Sequence, residues 1–191
     1  MSKARLSAFV DAVLAIIMTI LVLELERPEH VTLEALWDLR MNFFAYTVSF
    51  FWLGTMWINI HNEWYYVSKV GKKTVWWVML LLFFSSLFPY ATSLVSSEFN
   101  NSVAQVFYGV VVLLVTFTNT LMYRSVSKDN RDSVTFVDRI QSRSNWIWYD
   151  IACKIVGIIL SATIFPAAMM ITVLLTVTVL VIPKQLKKEQ K

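Results

Sequence analysis

Residues 5–26 read RLSAFVDAVLAIIMTILVLELE. A helix needs about 20 mainly apolar residues to cross the hydrocarbon of a bilayer. This stretch supplies them with one interruption, Asp11. A carboxylate at that depth costs several kcal/mol unless it is paired, so it belongs against protein. At about 100° per residue, Asp11 and Ile16 lie about 140° apart around the helix axis. Asp11 shares its side with Ala15, Met18 and Val22, whereas Ile16, Thr19, Ile20 and Leu23 follow i, i+3, i+4, i+7 spacing on another. That second stripe must face lipid, a neighbouring helix or a pore. Arg5 is an obvious counter-charge for Asp11, but six residues place it about 120° round and roughly 9 Å along the axis. Better partners lie in the segment WINIHN, where Trp57, Asn59 and His61 each carry an N–H donor at a matching depth. Such a network would hold the first helix against the second as polar glue.

The rest of the 191-residue chain has the same character, with 57% apolar residues, eight Trp and only 16% charged residues. This describes an all-α membrane protein and excludes a soluble globule, because lipid forces every backbone polar group to be satisfied within a helix or a closed barrel. Six spans are predicted as one unit over residues 1–191. The first covers Leu6 to Leu25, the second Asn42 to Ile60, the third Val75 to Val95 and the fourth Val103 to Tyr123. The tract from Trp146 to Ile182 supplies the last two, divided at IFPAAMM because Pro166 has no N–H with which to continue a helix. A single kinked helix is the competing reading of that tract. Pro89, in LFPYATS, predicts a kink in the third span.

Only Lys and Arg bias insertion strongly. They gather in the N-terminus (Lys3, Arg5), the second loop (Lys69, Lys72, Lys73), the fourth loop (Arg124, Lys128, Arg131, Arg139, Arg143) and the tail (Lys184, Lys187, Lys188, Lys191). Arg27 and Arg40 lie on the other side, and Lys154 falls within the fifth span. Both termini are therefore expected in the cytoplasm, which requires an even number of spans. The net charge of +4 is accounted for by this rule and implies no nucleic-acid partner. The outer side is acidic, with Glu24 and Glu26 directly after the first span and Glu29, Glu34, Asp38 and Glu98 beyond. Such charge concentrates cations at a pore mouth, or is ordinary loop charge. The first span ends in Glu24-Leu25-Glu26 without a small-residue cleavage pattern, so it is read as a retained helix and not a signal peptide.

Cys153 is the only cysteine, which rules out an intrachain disulfide, and it is expected to be packing within the fifth span. Asp150 and Lys154 are spaced to pair on one helical face. Thr116, Thr118, Asn119 and Thr120 form a polar patch on the fourth span, while Trp76, Trp77, Trp146, Trp148 and Tyr149 read as an interfacial aromatic belt. Gly54, Gly109 and Gly157 are too isolated to form a GxxxG face. His30 reads as a solvated loop residue, so no resident metal or cofactor is predicted.

Arg5-Leu-Ser-Ala-Phe9-Val10-Asp11, followed by AVLAIIMTILVLEL, resembles the first helix of prokaryotic members of the transmembrane protein 175 family, relatives of the lysosomal potassium channel. The family signature is an arginine, three variable residues, then Phe-Ser-Asp. MWINIHN is similar to the motif of the family's second helix. Val10 stands where that signature has serine, and Ile60 where a histidine is common. The resemblance implies a homotetramer in a bacterial or archaeal cytoplasmic membrane, with four copies of the first helix around a central pore. It further implies that Ile16 forms a hydrophobic constriction, that Thr19 offers a hydroxyl beside it, and that Ile20 and Leu23 line the wall outward. Arg5, Phe9, Asp11, Trp57, Asn59 and His61 would then form the polar network holding that helix. An aliphatic neck impedes hydrated ions and closes by dewetting. Potassium sheds water more readily than sodium and is the ion such a neck favours.

A potassium-permeable channel is accordingly the leading functional reading, its partners being potassium ions, membrane lipid and further copies of the chain. A proton-coupled secondary transporter using Asp11 and His61 is the alternative, although such proteins normally carry repeats or broken helices around a midplane site. An enzyme is not expected, since two distant histidines and one cysteine supply no nucleophile, base or metal cluster. A non-conducting assembly subunit is a further alternative.

Overall fold

The computed structural model describes residues 2–131 and 134–181, with side chains given for 2–131 and 146–179. Arg139, Arg143, Ile182 and the basic residues of the tail lie outside these described side chains. All the regular elements among the described residues are helices: α1 (Lys3–Leu23), α2 (Leu33–Asp38), α3 (Arg40–Trp64), α4 (Lys72–Ser86), α5 (Phe88–Ser97), α6 (Ser102–Asp129), α7 (Val134–Thr163) and α8 (Ala168–Leu175), the last running into a π-helical turn over Thr176–Val181. Five stretches are long and apolar enough to cross a membrane: α1, α3, α4 with α5, α6 and the Trp146–Thr163 part of α7. The segment after Pro166 forms a shorter apolar helix, Ala168–Val179.

Local chemistry explains most boundaries. The Ser2 hydroxyl accepts from the Arg5 amide and starts α1. Asn101 accepts from the amides of Val103 and Ala104 and starts α6. Pro89 interrupts the third predicted span, as its sequence position led one to expect, because it has no N–H for the Ser85 carbonyl; α4 and α5 together make one stretch of spanning length. The chain breaks at Leu87 and resumes at Phe88 with proline in the first turn, where a missing donor costs nothing. Pro166 divides the long C-terminal tract: α7 stops at Thr163, α8 begins at Ala168, and the Ser161 hydroxyl accepts from the Met169 amide to close the turn. The two helices then pack on each other as a hairpin. Gly157 allows their close approach, since a Cβ there would stand 2.8 Å from the Thr172 hydroxyl.

Helix α6 is the central staff, packed against α4, α5, α7 and α8, while α1 packs on α3, α4 and α5. Apolar contact alone does not drive helices together in lipid, whose tails are as apolar as leucine. Close packing and interhelical hydrogen bonds do. Both are present. Gly109 lets α6 approach α7 and α8, its absent Cβ leaving room for Ile158 and Met169. The buried Ser49 and Tyr108 hydroxyls share a 3.1 Å hydrogen bond, and Thr92 donates to Ser49 at 2.9 Å, joining α3, α5 and α6. At the basic end, Asn130 accepts from the amides of Ser68 and Lys69 and donates to the carbonyls of Lys69 and Val126, all at 2.8 Å. Asp129 accepts from the Gly71 amide and the Thr74 hydroxyl at the start of α4. The connection between α3 and α4 is thus latched onto the end of α6.

Cys153 departs from the expectation of a packed residue. It is exposed, because the covered side of α7 carries Lys154, Gly157 and Ser161, and position 153 lies about 100° round from Lys154.

Candidate functional site: the uncovered face of α1

Helix α1 has two opposed faces. Leu6, Val10, Leu14, Ile17 and Leu21 are buried against the rest of the subunit. Ile16, Ile20 and Leu23 are 58%, 37% and 77% exposed, and Thr19 is exposed among them. The uncovered arc also holds Ala8, Ala12 and Ala15, whose small side chains permit close approach of another helix. The Thr19 hydroxyl donates to the Ile16 carbonyl at 2.8 Å, which leaves its oxygen lone pairs available to a cation or water. Glu24 and Glu26 follow at the acidic end, half-buried and exposed respectively. Among the described residues their carboxylates make no hydrogen bond or ion pair.

Asp11 stands on the shoulder between these faces, half-buried, and accepts a 2.8 Å hydrogen bond from Trp57 Nε1 on α3. A charge-assisted bond of this kind fixes the rotation of α1 about its axis, because any turn of the helix swings the carboxylate off the indole. The His61 ring lies against Trp57, with centroids 5.7 Å apart, one turn further along the same side of α3. Met18, predicted on the Asp11 side, meets α3 at Gly54, where its Cε stands 3.4 Å from a glycine Cβ position.

The other residues predicted for this network are placed elsewhere. Asn59 is about 200° round α3 from Trp57 and is half-buried away from Asp11. Arg5 and Phe9 both lie on the uncovered arc with Ile16, and Phe9 is 43% exposed. Among the described residues the Arg5 guanidinium makes no hydrogen bond or ion pair within the subunit. Within one subunit the network around Asp11 is therefore Trp57, with the His61 ring tilted against it. Ala15 and Val22, predicted to share the inward side with Asp11, are exposed.

A second polar site lies deeper, and the sequence exposed only half of it. Lys154 on α7 is 2% exposed, pairs with Asp150 one turn away, and donates to the Thr116 hydroxyl of α6 at 2.9 Å. Its ammonium also stands 5.5 Å from the ring centroid of Trp52 on α3. The i, i+4 spacing revealed the pair; nothing in the spacing pointed to Thr116 or Trp52. Among the described residues no group of His, Cys, Asp and Glu is arranged to hold a metal ion.

The family profile described as endosomal/lysosomal potassium channel TMEM175 matches residues 5–89, which takes in most of α1, all of α3 and the Asp11–Trp57 bond. A protein of Chryseobacterium sp. (strain P1-3), named as a potassium channel, is 36% identical over 145 residues, covering 75% of this chain and 74% of its own. A chicken protein named endosomal/lysosomal proton channel TMEM175 is 33% identical over 111 residues, covering 52% of this chain and 22% of that longer one. Among solved structures, the fold is similar to that of a crystal structure titled as a lysosomal potassium-selective channel TMEM175 homologue from Chamaesiphon minutus. That likeness has a TM-score of 0.69 at 22% identity and covers 92% of this chain and 97% of that one. With its apolar helices and these relatives, the chain is a multi-pass membrane protein belonging to the TMEM175 family.

Proposed function

We propose that the protein is a potassium-permeable channel in which four copies of α1 enclose a pore, with Ile16 at its constriction. The observation that carries this reading is the uncovered face of α1. One side of the helix is packed and locked by Asp11 and Trp57, and the opposite side presents Ile16, Thr19, Ile20 and Leu23 to whatever lies beyond the subunit. One such stripe cannot enclose a path for ions, so the reading requires an oligomer, and a fourfold ring of identical helices is the arrangement the family resemblance favours. The relatives named as potassium channels support the choice of ion.

In this assembly an Ile16 ring narrows the pore below the width of a hydrated ion, dewets when it closes, and favours the cation that dehydrates at lower cost. Thr19 supplies an oxygen next to the ring. Ile20 and Leu23 line the wall toward Glu24 and Glu26, whose charges raise the local cation concentration at the mouth. Arg5 and Phe9, uncovered in one subunit, lie on the arc where neighbouring copies of α1 would meet. The remaining apolar surface meets lipid. Residues 1–191 act as one unit of six spans, with Ala168–Val179 as the core of the last, both termini in the cytoplasm and the cell membrane as location.

A proton relay from Asp11 to His61 is disfavoured by the residue between them. Trp57 donates its only N–H to Asp11 and has no basic nitrogen with which to receive a proton from either neighbour.

The test is ion flux in liposomes containing the purified protein. The wild type should pass potassium down its gradient without a proton gradient and elute from size exclusion as a tetramer. Ile16→Asn should weaken the preference for potassium over sodium and raise conductance. Unchanged selectivity and conductance in that variant would remove Ile16 from the constriction, and monomers in mild detergent would count against the pore itself.

A further inference from the structure

Lys154 is the one described cation buried in the apolar interior, and the channel reading assigns it no task. A buried ammonium is costly and is retained only where partners surround it. Tying α7 to α6 does not require a charge, since hydroxyl bonds and glycine contacts already serve that purpose in this bundle. What the ammonium adds is its place over Trp52. That indole is 7% exposed and stacks on Phe88 with ring centroids 4.9 Å apart and planes 4° from parallel. Phe88 is the first residue of α5, immediately past the helix break at Leu87. The indole is therefore gripped by a cation from α7 and by an aromatic ring at the start of a half-helix that itself packs on α1.

Trp52 and Trp57 belong to one uninterrupted helix, α3. Five residues separate them by about 7.5 Å along the axis, short enough for that helix to behave as a rigid rod. A shift or rotation imposed at Trp52 is delivered at Trp57, and Trp57 holds the carboxylate that orients α1. We infer that Lys154, clamped by Asp150 and Thr116, is a positioning residue for the permeation path: it sets the seat of Trp52 and thereby the angle at which α3 presents α1 to the fourfold axis. The inference rests on the channel reading and adds a selectivity determinant remote from the pore.

The experiment compares wild type, Asp150→Leu/Lys154→Met, Lys154→Arg and Trp52→Phe as full-length proteins, first by size exclusion and then by potassium-to-sodium permeability ratio in liposomes. The double variant replaces the ion pair with apolar side chains of similar size, a change that buried pairs commonly tolerate. It should assemble as the wild type does but alter the permeability ratio by about threefold or more. Lys154→Arg should stay near the wild-type ratio, because it keeps a cation over the ring and donors for Asp150 and Thr116. Trp52→Phe preserves the aromatic stack while weakening the cation contact, and should shift the ratio in the same direction by less. A wild-type ratio in the assembled double variant overturns the inference and leaves the pair as a structural tie. Should the double variant fail to assemble, a wild-type ratio in Trp52→Phe overturns it equally. Absence of potassium flux from the wild type itself would overturn the channel reading and the inference together.

Discussion

Helices α1 and α6 are both long enough to cross a bilayer, yet the more apolar of the two is the less enclosed. Helix α6 buries Gln105, Tyr108, Thr116, Thr118 and Asn119, while α1 leaves Ile16, Ile20 and Leu23 uncovered. In water this would be an inverted protein. In lipid it follows from the solvent: a leucine gains nothing by leaving hydrocarbon for protein, whereas a hydroxyl or an ammonium must find partners inside. Polar side chains therefore mark the interior of the bundle. The single carboxylate of α1 marks where that helix is attached.

The comparison can be broken first at the interior charge. Lys154→Met leaves Asp150 without its counter-ion against α6 and should cost about 3 kcal/mol or more, the largest loss of stability among single substitutions here. Thermal denaturation in detergent would show it, and a wild-type melting point would mean that the polar interior of the bundle contributes no stability. Leu14→Ala, on the covered face of α1, opens a cavity in a site with no measurable exposure and should cost about 2–3 kcal/mol in the same assay. Trp57→Phe removes the charge-assisted bond to Asp11 while keeping an aromatic ring; the expected loss is about 1.5 kcal/mol. Smallest of all in stability is Ile16→Ala, expected within about 0.5 kcal/mol of wild type, since in the subunit that side chain is largely uncovered. The same variant should change ion flux. Leu14 and Ile16 thus sharpen the contrast between the two faces of α1: one truncation acts on folding, the other on permeation. Equal melting losses at the two positions would show that the faces of α1 are not distinct.

Much of this arrangement was legible from spacing. The apolar runs mark the spans, Pro166 marks the hairpin between α7 and α8, and the interval from Asp150 to Lys154 marks an ion pair. Depth along the second span marks Trp57, Asn59 and His61 as candidate donors to Asp11, and the bundle selects Trp57. Residues that meet across long intervals of chain were not legible. Asn130 binding Ser68 and Lys69, Gly109 admitting Ile158 and Met169, and Lys154 reaching Trp52 depend on which helices become neighbours, and hydropathy is silent on that. Asn59 and Ala15 show the same limit within a single helix. Periodicity gives their angle to Trp57 or Asp11, but only the packed bundle gives the direction from which that angle is measured.

The chain by itself determined that it is helical and lives in a membrane, where its main apolar spans lie, and that Asp11 needs a donor, because the solvent and the backbone impose those demands on each segment separately. Tertiary structure alone decided which donor answered, which arc of α1 was left uncovered, and what surrounds the buried ammonium. Those outcomes are set by how whole helices share one interior, and in lipid that choice turns on a few polar contacts and close approaches rather than on the apolar residues that fill most of the sequence.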